Sequence, residues 1–207
     1  AEVYERYPHI GALVPAMGYS DAQIRELEAV VNRAPVDAVV IGTPNALHAE
    51  QAVAFLSAGK HVLVEKPMAP TVAEADAMVA AARGSRAFLM VAHCWRFHPD
   101  VRALRARVGA GELGQIVKTR GYGVHARWGP SGWFTDPALA GGGALLDMGV
   151  HAVDTTRYLL GDPEPVRVCA AVGTRYGDYA VDDDAVLLIT WSNRTSSVVE
   201  SGWWQPR

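Results

Sequence analysis

Residues 36–92 alternate between two hydrophobic patterns, and that alternation leaves few folds open. Val36–Ile41 is a short apolar run rich in β-branched residues, stopped by Gly42-Thr43-Pro44-Asn45. Residues 46–58 then read as a helix closed by Gly59. His61–Val64 is a second strand, ended by Glu65-Lys66-Pro67. Residues 72–82 form an Ala-rich helix with Thr71 as its cap, and Ala87–Ala92 is a third strand. Strand, helix, strand, helix, strand with short links is the pattern of a parallel sheet with right-handed crossover helices. The first strand carries no polar alternation, so it is expected to be buried on both faces.

After residue 96 the pattern changes. A helix is expected over 99–109 and a long strand over 116–124. A Trp-rich polar loop follows, and then Gly141-Gly142-Gly143 opens a helix running to about Leu160. Three strand candidates come last, at 166–172, 185–191 and 196–204. The fold class is therefore α/β: a partial parallel-sheet domain over 1–95, then an α+β domain with a mostly antiparallel sheet over 96–207. Residues 1–20 are irregular, and 21–33 carry Ile24, Leu27, Val30 and Val31 at helical spacing.

Composition narrows the function classes. The chain's 207 residues are enough to bury about 70% of the unfolded surface. The formal net charge is −3, which gives no footprint for nucleic acid. No apolar run is long enough to cross a bilayer, and Ala1–Glu5 lacks the pattern of a signal peptide. Two cysteines, Cys94 and Cys169, cannot build a disulfide framework, so a cytoplasmic, reducing setting is expected. Cys169, in an apolar strand, reads as core.

Four clusters carry chemistry. In open parallel sheets ligands sit beyond the carboxyl ends of the strands, here Gly42–Asn45, Glu65–Pro67 and His93–Arg96. Lys66 precedes a proline, which drives it into an extended conformation and allows a cis bond. An isolated Lys-Pro is otherwise a surface turn. Asp147 and His151 are four apart in the glycine-opened helix, which puts a carboxylate and an imidazole on one face, continued by Asp154 and Tyr158. Such a pair can do acid–base work near neutral pH, or it can be a hydrogen-bonded structural pair. Gly149 inside a helix implies close approach of something to its backbone. Arg96, among Trp95, Phe97 and His98, suits an anionic or polyhydroxylated ligand or a packed hinge. Trp128, Trp133 and Phe134 can stack on sugar rings or simply pack. His48 belongs either to a helix face or to the rim of the site. No third ligand stands at metal-site spacing near Asp147 and His151, so no metal is expected.

Taken in order, four stretches resemble the Gfo/Idh/MocA oxidoreductases, relatives of glucose–fructose oxidoreductase and inositol dehydrogenase. They are Ala38–His48, Ala58–Pro67, Trp95–Pro99 and Gly141–Asp154. The resemblance runs from about residue 36 to the end. It implies a Rossmann-like nucleotide-binding domain, NAD or NADP as cofactor, and hydride transfer between nicotinamide and a sugar or cyclitol. It places Thr43, Pro44, Asn45, His48, Glu65 and Lys66 at the cofactor and Lys66, Asp147 and His151 at the chemistry. His151 would take the hydroxyl proton, Lys66 would polarise the same oxygen, and Asp147 would orient the imidazole or hold a neighbouring hydroxyl. Arg96 and Trp133 join Asp147 and His151 as substrate contacts. No membrane or nucleic-acid partner is implied.

The chain departs from the family pattern at its start. No G-x-G-x-x-G triplet precedes residue 36, so cofactor binding is expected to be weakened. Residues 1–35 are instead similar to a segment of cyclic 2,3-diphosphoglycerate synthetase-type proteins, which implies a chimera. Soon after Trp203-Trp204 the sequence ends, and the second sheet is expected to be incomplete there. Exposed strand edges and a homo-oligomer through that sheet are expected. A non-catalytic scaffold that retains the motifs is the alternative.

Overall fold

The computed structural model describes residues 36–125 and 130–204, which divide into two compact units between Ala92 and His93. The helix expected over 21–33, the segment 1–35 and Trp128 lie outside the described residues.

The first unit is a three-stranded parallel sheet, order β1-β2-β3, built from Ala38–Ile41, His61–Val64 and Leu89–Val91. Helix α1 (His48–Ser57) follows β1 after a single 3₁₀ turn at Asn45–Leu47, and α2 (Val72–Gly84) links β2 to β3. Thr71 caps α2 in a full capping box. Its hydroxyl accepts from the Glu74 amide, and the Glu74 carboxylate accepts from the Thr71 amide at 3.0 Å. The core packs Ile41, Val62 and Val64 against Val53, Leu56 and Met78. Side chains alternate along a strand, so the next residues point the other way. Val40 is accordingly 75% exposed and Met90 47%. The expectation that β1 is buried on both faces is corrected: among the described residues, helices cover one face of this sheet only.

The second unit opens with a 3₁₀ turn at Cys94–Phe97 and α3 (Pro99–Gly109), which starts on the proline allowed at a first helical position. Its sheet has the order β4-β7-β6-β5, from Lys118–His125, Ser196–Trp203, Asp184–Trp191 and Pro165–Gly173. The β5–β6 and β6–β7 pairs are antiparallel and β4–β7 is parallel. Ala152, Leu187, Ile189, Trp191 and Val199 form the core under α5 (Val150–Leu159). The opposite face is open among the described residues, with Tyr122, Val186 and Leu188 exposed on it. Cys169 pairs with Leu188 on the outermost strand and is exposed, which corrects its reading as core. An apolar run marks a strand, but it does not say whether both faces of that strand are covered.

The glycine-opened helix is continuous from Ala144 to Leu159, as expected, but its first turn is not α-helical. Pro137–Ala140 is a short helix, α4, ended by Gly141 in the left-handed conformation (φ 73°). Leu145–Gly149 is then a single π-helical turn that runs into α5. Its N-terminal amides are capped from far along the chain. The Asp182 carboxylate accepts from the Gly143 amide at 2.7 Å and the Leu145 amide at 2.8 Å. A side chain at Gly143 would overlap the Asp182 backbone, and one at Gly123 of β4 would overlap the Met148 carbonyl. Gly149 is approached by Leu145 and Ser201, so internal packing accounts for the glycine there. Gly123→Ala is expected to destabilise the protein by about 1–3 kcal/mol, because the group it meets is backbone and cannot swing away. A fall in the urea midpoint checks this. An unchanged midpoint would mean that β4 and the π turn have more room than this packing gives them.

Candidate functional site

In the first unit the chemistry lies at the carboxyl ends of β1 and β2. Ile41 pairs with Val64, so Gly42–Asn45 and Glu65–Pro67 leave the sheet side by side. The Thr43 hydroxyl donates to Gln51 Oε1 at 2.8 Å, and Asn45 is buried. Among the described residues nothing stands within 4 Å of where a Gly42 side chain would begin, so none of them keeps a ligand from the backbone there. Glu65 is exposed, and its carboxylate accepts from the Lys66 amide at 3.2 Å. The Lys66–Pro67 bond is cis, as its sequence allows. His48 is buried, with its two ring nitrogens 2.9 Å from the Pro67 and Thr43 carbonyl oxygens. It is thus a residue of the helix, and its ring is turned inward onto the loop backbone.

In the second unit the π turn carries Asp147, and α5 carries His151. A π turn inserts an extra residue into a helix and is frequent at functional sites. Both side chains are buried. The Asp147 Oδ2 atom accepts from the Trp203 indole N–H at 2.9 Å, and His125 Nε2 lies 4.0 Å from the same oxygen. The Ser201 hydroxyl donates to the Ala144 carbonyl at 2.7 Å, so β7 holds the π turn at two points. The His151 ring stacks on Trp95 with centroids 4.8 Å apart and planes 13° from parallel. Its orientation is thereby set by packing. A buried imidazole of fixed orientation, one turn from a carboxylate of fixed orientation, can exchange a proton with a hydroxyl placed between them.

Arg96 is engaged within its own unit. Its Nε and Nη2 donate to Asp154 at 2.6–3.0 Å in a bidentate pair, and its guanidinium lies 5.0 Å from the centre of the Tyr158 ring. The hydrogen bond to Asp154 raises the Arg96 pKa above its ordinary value. The pair ties the turn that carries Trp95 to the helix that carries His151. Burial holds the neighbouring His93 imidazole below its ordinary value, with Asp154 opposing and Arg96 adding. Trp133, half-buried, stacks on Phe134 at 4.0 Å. Among the described residues no group of three His, Cys, Asp or Glu side chains is placed to hold a metal ion, and no helix is long and apolar enough to cross a membrane.

Three partners were missed in the sequence. Trp95, Trp203 and Asp182 each act on a residue 37–56 positions away. The aromatic content of 93–99 and the terminal Trp203-Trp204 were visible, but nothing local says which residue each ring meets.

Two family profiles together cover most of the chain. The profile of the GFO/IDH/MocA C-terminal domain matches residues 101–207. That of the oxidoreductase family with an NAD-binding Rossmann fold matches residues 8–93, and so takes in most of the segment 1–35. The 1,5-anhydro-D-fructose reductase of Ensifer adhaerens is 37% identical over 163 residues, covering 77% of this chain and 48% of that protein. The levoglucosan dehydrogenase of Pseudarthrobacter phenanthrenivorans is 31% identical over 198 residues, covering 83% and 50%. Among solved structures, levoglucosan dehydrogenase in complex with NADH and levoglucosan superposes with a TM-score of 0.79 at 32% identity, over 86% of this chain and 50% of that one. An aldose-aldose oxidoreductase from Caulobacter crescentus complexed with glycerol gives 0.80 at 32% identity, over 87% and 55%. The chain spans about half the length of the curated relatives it matches. Its two matched profiles, its parallel-sheet unit and its mostly antiparallel second unit make it a member of the Gfo/Idh/MocA oxidoreductase family.

Proposed function

We propose that the protein is an NAD(P)-dependent oxidoreductase that moves a hydride between nicotinamide and a sugar or cyclitol. The observation that carries this reading is the pair on the π turn and α5: His151 held face-on by Trp95, and Asp147 held by Trp203. Relatives named for anhydro sugars, glucosides and inositols support the substrate class.

The nicotinamide, when bound, accepts or donates the hydride; everything else falls to the chain. Thr43, Pro44, Asn45 and Glu65 line the cofactor, and the Gln51 carbonyl takes the Thr43 hydroxyl proton in a hydrogen bond, which leaves the Thr43 oxygen as an acceptor. His151 takes the proton of the reacting hydroxyl, and Lys66 supplies a positive charge at the strand ends of the first unit. Asp147, one oxygen bound to Trp203, accepts from a neighbouring hydroxyl or orients the imidazole. Trp133 offers an apolar face to the ring. Arg96 serves by holding α5 through Asp154. Both described cysteines are free, which fits a reducing, cytoplasmic setting.

The test is a fluorescence titration with NADH and NADPH, followed by a panel of sugars and cyclitols. Micromolar cofactor binding with turnover of a polyol is expected; binding of neither cofactor would overturn the reading. The open face of the second sheet, with Tyr122, Val186 and Leu188, supports a homo-oligomer through that face. Light scattering is expected to show at least a dimer, and a monomer at high concentration would contradict it.

A further inference from the structure

We infer that His48 is a positioning residue, not a cofactor contact: it ties the loop after β1 to the loop that carries Lys66. The inference rests on the reading above only where it concerns turnover.

His48 is the first residue of α1. Helical side chains lean toward the N-terminus, so this ring points back at the strand ends from which the helix departs. The ring is 0% exposed. Nδ1 lies 2.9 Å from the Pro67 carbonyl oxygen and Nε2 lies 2.9 Å from the Thr43 carbonyl oxygen. Carbonyl oxygens only accept. Either neutral tautomer therefore donates one of the two bonds, and the doubly protonated ring donates both. In every state both ring nitrogens face the chain's own backbone, and no polar atom of the ring is left to offer a dinucleotide. Gln51, three residues on and on the same face of α1, takes the Thr43 hydroxyl. One turn of helix thus holds the Thr43 side chain through Gln51 and sets the His48 ring between the Thr43 and Pro67 carbonyls, donating to one of them when neutral and to both when doubly protonated.

That reach matters because Lys66 is placed by its backbone. The Glu65 amide donates to the Ile41 carbonyl, which fixes one end of the short loop to the sheet. His48 fixes the other end at Pro67, and Lys66 lies between the two anchors. A reacting group displaced by about 1 Å loses on the order of a hundredfold in rate.

The test compares wild type with His48→Phe, which keeps a ring but removes both nitrogens, and His48→Gln, which keeps one donor. Three quantities are read: kcat, the Kd for NADH, and amide hydrogen exchange of the segment 65–70. Phe is expected to lower kcat roughly tenfold to a hundredfold while the NADH Kd stays within about threefold. Exchange in 65–70 is expected to quicken about tenfold, and Gln to recover part of both effects. NADH affinity falling in step with kcat would make His48 a cofactor contact and overturn the proposal. So would unchanged exchange in 65–70 in both variants. If Lys66→Ala leaves turnover intact, the functional reading fails, and the exchange measurement still decides whether His48 holds the loop. If His48→Phe does not fold, the comparison rests on Gln, whose exchange must exceed that of wild type.

Discussion

Lys66→Ala and His151→Ala are each expected to lower kcat/KM by about three orders of magnitude, with circular dichroism unchanged. A positioned acid or base contributes typically 10²–10⁴-fold, and removing it forces the proton onto water. A lysine ammonium is a compact charge with three donors, and alanine offers neither charge nor donor in its place. If the two residues serve one step, the double variant loses little more than the worse single one, because effects of groups that act together do not add. Losses that multiply would show that the amine and the imidazole act at separate places. Equal rates in wild type and either single variant would refute the role given to that residue.

Asp183→Asn is expected to cost about 3–4 kcal/mol of stability, the largest loss from a residue outside the site. Asp183 is fully buried in a loop of its own making. Its carboxylate accepts from the amides of Arg175 at 2.6 Å, Tyr176 at 2.8 Å and Gly177 at 2.8 Å, and from the Tyr179 hydroxyl at 3.1 Å. Hydrogen bonds to a charged acceptor contribute roughly 1.5–3 kcal/mol each, and an amide group turns a donor toward donors. Burial opposes ionisation of Asp183, yet the three amides and the hydroxyl outweigh it and hold its pKa below the ordinary carboxylate value. A depressed native value contributes stability in full above the unfolded value of about 4, and that contribution is lost as pH falls below it. The gap in urea midpoint between wild type and variant should therefore narrow from pH 7 to pH 3; a gap of constant size would remove Asp183 from the acid transition. The same network pushes Tyr179 up to about 12, by burial first and then by the bond to Asp183. Tyrosinate absorbance should appear at lower pH in Asp183→Asn.

Elements defined within a few residues of themselves were legible. Thr71 and Glu74 announce the start of α2, and Pro99 opens α3 where a proline is tolerated. The alternation of β1, α1, β2, α2 and β3 named a parallel sheet before any coordinate. Two readings failed for one physical reason. Val40 and Cys169 are exposed because apolarity describes a side chain, while burial depends on what lies opposite it. The helix after Gly143 begins with a π turn, Leu145–Gly149, held by Ser201 and Trp203 from β7 and capped by Asp182.

What the residue order determined alone was the set of strands and helices, their succession, and the family motifs that bring Lys66, Asp147 and His151 into question. Those follow from local periodicity, capping and turn chemistry, which act over a few residues. What only the tertiary structure decided was the work of His48, Trp95, Asp182, Asp183 and Trp203. All but Asp183 act on groups between 19 and 56 residues away, as His48 does on Pro67 and Trp203 on Asp147. A hydrogen bond or a ring stack across such a separation leaves no periodic trace in the chain, because it is specified only when the folded backbone brings the two partners within reach.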